Sequence, residues 1–271
     1  MRGNPRIAIA IVTASLAIAS SASAAEPKRF LGFRLLDLEN QSVKWETPRQ
    51  RVGATVTYAF ATKLVTTEGA RNCGQMLPPD KAYTPSGIAQ GEFEREVAAA
   101  FRMWEDVADI KFRKIDDDDT ADIVIGAQAV PVGRAFTNVE LKPAGRPGQK
   151  VIARSLICLN PAQPWKVGFD GDLDVYDLRY TIAHEAGHAI GLDHPSPAGQ
   201  LMSYKYDERH QGLQPGDIRG AALLYGARSG GPSFSRAASD ITTGSTGAGP
   251  AGESKQGRDF GIGTGPDTPR R

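Results

Sequence analysis

Residues 54–61, ATVTYAFA, place Val56, Tyr58 and Phe60 at alternate positions, the period of a half-buried strand. The period changes over Ser86–Val107, where Phe93, Val97, Phe101, Trp104 and Ala108 recur at intervals of four and three. They form one apolar stripe, and Glu92, Glu94, Arg95, Arg102 and Glu105 face mostly away. This pattern predicts a helix with an aromatic core face. Ile110–Ile115 and Ala121–Ala127 read as strands flanking the acidic run Asp116 to Asp119. Two more strands, Arg134–Leu141 and Lys150–Leu159, flank a turn rich in Gly and Pro. A second helix runs from Val175 or Asp177 to Gly191 with Leu178, Ile182, Ala186 and Ile190 as core positions, and Pro215–Tyr225 is a last short helix. About five strands carrying two long helices make an α+β domain.

The second helix carries candidate chemistry. His184 and His188 are four apart in HEAGHAIGLDH, so they share one helix face with Glu185 beside them. Gly191 can take a left-handed conformation, end the helix and return His194 to the same point. Three neutral imidazoles suit Zn²⁺ with its fourth position left to water, and Glu185 is the nearby base. No histidine precedes His184, which excludes a second histidine-based zinc site, and His210 reads as an exposed histidine. Met202 reads as an apolar floor under the metal. Ca²⁺ has two candidate places, the Asp116 to Asp119 run and Asp170-Gly171-Asp172-Leu173-Asp174. The first reads as a solvated turn, and the second as a turn whose aspartates cap the following helix.

Composition sets the surroundings of this domain. Arg2 and Arg6, the apolar run Ile7 to Ala19 and Ala22-Ser23-Ala24-Ala25 read as a signal peptide over residues 1–25, so the mature chain is expected to be secreted or periplasmic. Residues 26–52 are an N-terminal segment with a small apolar cluster, residues 53–228 the domain proper, and residues 229–271 a Gly-, Ser- and Pro-rich tail expected to be disordered. The net charge of +1 falls to −1 once Arg2 and Arg6 are removed, which gives no electrostatic case for nucleic acid or anionic lipid as a partner. No second long apolar stretch offers a membrane anchor, and the chain is read as a monomer. Cys73, in the long loop Thr62 to Pro85, and Cys158 are the only cysteines and, outside the cytoplasm, are expected to pair.

HEAGHAIGLDH, completed by Met202 eight residues after His194, resembles the metzincin metallopeptidases. The interval to Met202 is similar to that of matrixins. Met202-Ser203-Tyr204 is similar to serralysins and astacins, whose tyrosine two past the methionine is a zinc-side residue. The likeness extends through VKWETPRQRVGATVTYAF, FRMWEDVADIKFRKI, TADIVIGA and LQPGDIRGAALLYG, about residues 43 to 227. Arg71-Asn72-Cys73-Gly74 faintly resembles the matrixin cysteine switch, but it follows the first strand, and Asn72 and the spacing to Pro79 depart from that motif. The tail lacks the calcium repeats of serralysins.

The resemblance implies a metzincin (zincin-like) fold: a twisted mixed five-stranded sheet, two long helices and a small C-terminal subdomain. It implies a zinc endopeptidase with His184, His188 and His194 as metal ligands and with Glu185 and Tyr204 as catalytic residues. A protein or peptide substrate would bind as an extended strand along the edge near Arg134–Leu141. The rival readings are a zinc-containing binding protein and a processing protease of narrow specificity.

Overall fold

Strand Ala54–Phe60 (β1) buries Val56 and Tyr58 and exposes Thr55, as the alternation requires. The computed structural model describes residues 32–47, 53–196, 198–228 and 260–264; the expected signal peptide lies outside these. Helix Gln90–Glu105 (α1) follows, then strands Ile110–Lys114 (β2), Ile123–Ala127 (β3), Ala135–Pro143 (β4) and Lys150–Leu159 (β5). Helices Leu178–Ala189 (α2) and Pro215–Tyr225 (α3) complete the domain, and Phe260–Thr264 (β6) lies beyond them. The sheet order is β6-β4-β5-β3-β1-β2. β2, β1, β3 and β5 run parallel, β4 is antiparallel to β5, and β6 is parallel to β4. The five expected strands are all present. The sixth, Phe260–Thr264, comes from the tail; the rest of 229–271, and with it the expectation of disorder there, lies outside the described residues.

The core lies between the sheet and the two long helices. Phe93, Val97, Phe101, Trp104 and Ala108 are all buried, as are Leu178, Ile182, Ala186 and Ile190. Trp104 also fixes the helix pair, because its Nε1 donates to Ala183 O at 2.9 Å. Glu96, on the same helix, is buried and held by Arg179 at 2.7 Å. A smaller cluster on the opposite sheet face contains the Cys73–Cys158 disulfide, which ties the long loop to β5 across a sequence separation of 85.

Residues 32–47 belong to the domain. Arg34–Leu35 pairs antiparallel with Leu192–Asp193, Trp45 Nε1 donates to Ala189 O at 2.9 Å, and Tyr225 Oη accepts from Trp45 N at 3.1 Å. Leu36, Leu38 and Val43 are buried with them. This segment therefore braces the turn that follows the histidine helix.

Both acidic stretches are engaged from within the chain. Asp117 accepts from Asp119 N and Thr120 Oγ1, Asp118 accepts from Thr62 N at 2.7 Å, and Asp119 pairs with Lys63. At Asp170–Asp174 the cation is a lysine: Lys166 Nζ bonds Asp170, Glu208 at 2.5 Å and Asp172 O at 2.6 Å. The expectation that these aspartates cap α2 is corrected. Asp177 is the N-cap, accepting from Tyr180 N at 2.8 Å.

Candidate active site

α2 places His184 and His188 one turn apart, and a sharp reversal brings His194 to them. The reversal depends on Gly191, whose φ is +106 and where a Cβ would stand 2.2 Å from Val43 O. The Nε2 atom of His194 lies 3.0 Å from that of His184 and 3.2 Å from that of His188. Three nitrogens bound to zinc at about 2.0–2.1 Å in tetrahedral geometry stand roughly 3.3 Å apart, so this spacing fits the metal. His184 Nδ1 is bonded to Leu201 O at 2.7 Å and His188 Nδ1 to Leu192 O at 2.8 Å. These carbonyls accept Nδ1–H and leave each Nε2 as the donor atom for a metal. Burial holds both imidazoles below their ordinary pKa, so they are neutral and ready to ligate at neutral pH.

Glu185 is fully buried beside the ligands. Its Oε2 accepts a 2.6 Å hydrogen bond from Thr137 Oγ1 on β4, whereas Oε1 has no hydrogen-bond partner among the described residues. Burial pushes this carboxyl up to about 8, with the Thr137 bond acting in the opposite direction. A buried carboxylate oxygen without a partner is costly for stability alone, which fits a group kept for chemistry.

Beneath the histidines, Met202 is buried against the helix. A Cβ on Gly187 would lie 2.2 Å from Met202 Sδ and 2.9 Å from Trp104 Cζ2, so only glycine lets the methionine approach this closely. Asp217 secures the methionine turn from α3, accepting from Leu201 N at 2.9 Å, Met202 N at 3.2 Å and Gln214 N at 2.8 Å. Tyr204 lies against His194 with ring centroids 4.0 Å apart. His210 stands near Asp207, outside the histidine triad.

The structure thus brings together the three predicted ligands, Glu185 and Tyr204. A sequence profile of the matrixin family matches residues 81–226. The chain belongs to the matrixin family. Among its relatives, the hatching enzyme of Paracentrotus lividus is 31% identical over 159 residues, covering 54% of this chain and 24% of the relative. Interstitial collagenase B of Mus musculus is 30% identical over 150 residues, covering 53% and 31%. Stromelysin-3 of Homo sapiens is 29% identical over 151 residues, covering 52% and 29%. The chain therefore spans only a quarter to a third of the length of these curated relatives.

Sequence reasoning about this matrixin site missed Thr137, Gly187, Asp217 and Tyr206. Asp217 had a usable signal, since it stands three residues after Gln214 and just after Pro215, the pattern of a helix start with a carboxylate at its third position. Tyr206 accepts from Asp177 N at 3.0 Å and donates to Glu208 at 2.9 Å, joining the start of α2 to the loop after Met202. Thr137 had no local signal, because its role exists only across the cleft.

Proposed function

We propose that this protein is an exported zinc-dependent endopeptidase, acting outside the cytoplasm on a protein or peptide held as an extended strand. One observation carries the reading: the Nε2 atoms of His184 and His188 lie 3.0 and 3.2 Å from that of His194, beside a buried carboxyl group with one unpaired oxygen. The matrixin relatives include a collagenase by name, which supports peptide-bond hydrolysis. Among the described residues no helix is long and apolar enough to cross a membrane.

His184, His188 and His194 would hold Zn²⁺, whose charge polarises a carbonyl and acidifies a water when it is bound. Glu185 then works through Oε1 in its ionised form, which the positive charge of a bound Zn²⁺ would favour against the effect of burial. Thr137 occupies Oε2 and fixes the carboxylate plane, so the proton of the attacking water goes to Oε1 and passes from there to the leaving amine. Tyr204, whose ring lies tilted against that of His194, is assigned to hydrogen-bond the developing oxyanion. No step of this reading calls on calcium, and at the turn before α2 Lys166 lies against Asp170 and Glu208.

Hydrolysis of casein tests the proposal, with and without 1,10-phenanthroline and beside Glu185→Ala, with zinc measured in each sample. Cleavage should require both the metal and Glu185. Absence of bound zinc would overturn the reading, and stoichiometric zinc without cleavage of any substrate would favour a binding protein.

A further inference from the structure

β4 is where an extended peptide was expected to add to the sheet, yet that edge is taken by this chain itself. Phe260–Thr264 lies parallel to β4 with Phe260 opposite Ala135, Ile262 opposite Thr137 and Thr264 opposite Val139. Thr137 is the residue whose hydroxyl holds Glu185, so the register carries the backbone of β6 past the level of the catalytic carboxylate. A peptide cannot pair with β4 over Ala135–Val139 while β6 is there, because each strand edge has one row of N–H and C=O groups to offer.

The make-up of β6 suits an occupant that can leave. Gly261 and Gly263 stand at two of its positions, and glycine inside a strand loses the most conformational freedom on ordering while adding no side chain to pack. Among the described residues its one neighbour in the sheet is β4. Residues 229–259 join it to the domain, and at about 3.3 Å per residue such a length could reach on the order of 100 Å.

We propose that Phe260–Thr264 is an intramolecular competitor for the substrate edge, and that an extended peptide binds only by displacing it. The inference rests on the peptidase reading for its kinetic consequence but not for the pairing itself. Bound strand and bound peptide exclude one another, so the tail raises KM and leaves the chemical step unchanged. If β6 is paired in about nine of ten molecules, KM is raised about tenfold.

The test uses the full chain and a Gly261→Pro, Ile262→Pro double variant, which removes one backbone donor of each parity from β6. Amide hydrogen exchange along Ala135–Val139 is followed first, then kcat and KM on a short internally quenched peptide. Anisotropy of a labelled synthetic peptide spanning residues 258–266 is measured on both proteins. Faster exchange in β4, a KM about tenfold lower at unchanged kcat, and tighter binding of the labelled peptide by the variant are expected. Unchanged exchange would show that β6 does not cover the edge, and faster exchange with unchanged KM would show that peptides do not compete for it; either overturns the proposal. If neither protein turns over any peptide, the peptidase reading fails. The anisotropy then decides this proposal alone, with tighter binding by the variant supporting it and equal binding overturning it.

Discussion

Gly187→Ala sets two calculable effects against each other. Alanine favours a helix interior over glycine by about 1 kcal/mol, so on propensity the substitution stabilises α2. Its methyl group, however, would stand 2.2 Å from Met202 Sδ and 2.9 Å from both Met202 Cε and Trp104 Cζ2. Carbon and sulfur normally approach to about 3.5–4.0 Å, which demands a shift of roughly 1.5 Å. Trp104 is pinned by its bond to Ala183 O, so the methionine turn has to move. Overpacking of this kind costs about 1–3 kcal/mol, and at so short a contact the upper part of that range applies, leaving a net loss of about 1–2 kcal/mol. Leu201 moves with Met202 and withdraws its carbonyl from His184 Nδ1, a support whose loss typically lowers metal affinity by about 10- to 100-fold. Urea unfolding and chelator-competition titration of zinc measure the two effects. Repeating the substitution in a Met202→Ala background removes Sδ and Cε but leaves Trp104 Cζ2 in place, so the penalty from Gly187→Ala should shrink without vanishing, and the difference gives the methionine contact as a coupling energy. A Gly187→Ala protein as stable as wild type with undiminished zinc affinity would refute the reasoning.

Three other outcomes follow from the same structure. Cys73→Ala with Cys158→Ala opens a loop of 85 residues' separation, for which chain entropy gives about 4–5 kcal/mol; a urea midpoint unchanged from wild type would remove the disulfide from the account of stability. Burial pushes the Asp217 carboxyl up to about 6, so the folded state binds its proton more tightly than the unfolded state. The stability this adds is full below about pH 4 and lost as pH rises through 6, up to about 3 kcal/mol. The difference between wild-type and Asp217→Asn stability curves should therefore fall over that window, and a difference that is flat or rising would contradict the assignment. Lys166→Met removes the ammonium from Asp170, Glu208 and Asp172 O, so added calcium should raise the Tm of the variant while leaving wild type unmoved. An equal calcium response in both would show that the lysine does not serve as the cation there.

Periodicity and local chemistry determined much of this protein before any contact was known. The stripe from Phe93 to Ala108 and the alternation in Ala54–Phe60 depend only on which face of an element meets water, so they are legible residue by residue. The spacing of His184, His188, Gly191 and His194 likewise encodes one helix face and one reversal, which brings three histidines together within eleven consecutive residues. Long-range partners leave no such trace. Thr137 reaches Glu185 across 48 positions, and Trp45 reaches Ala189 across 144, because a hydrogen bond needs proximity in space and imposes no pattern along the chain. The contact of Lys166 with the acidic turn was illegible for the same reason, since Glu208 joins that turn only when the loop after Met202 folds back. Composition was also silent on strand pairing in the tail. Its low apolar content argued against a packed core, but β6 uses backbone pairing at an open edge, which composition does not register. The sequence by itself determined the elements and the histidine triad, because both are written at short range. Tertiary structure alone decided what holds Glu185, what neutralises the acidic turn and what covers β4, because those depend on which distant segments meet.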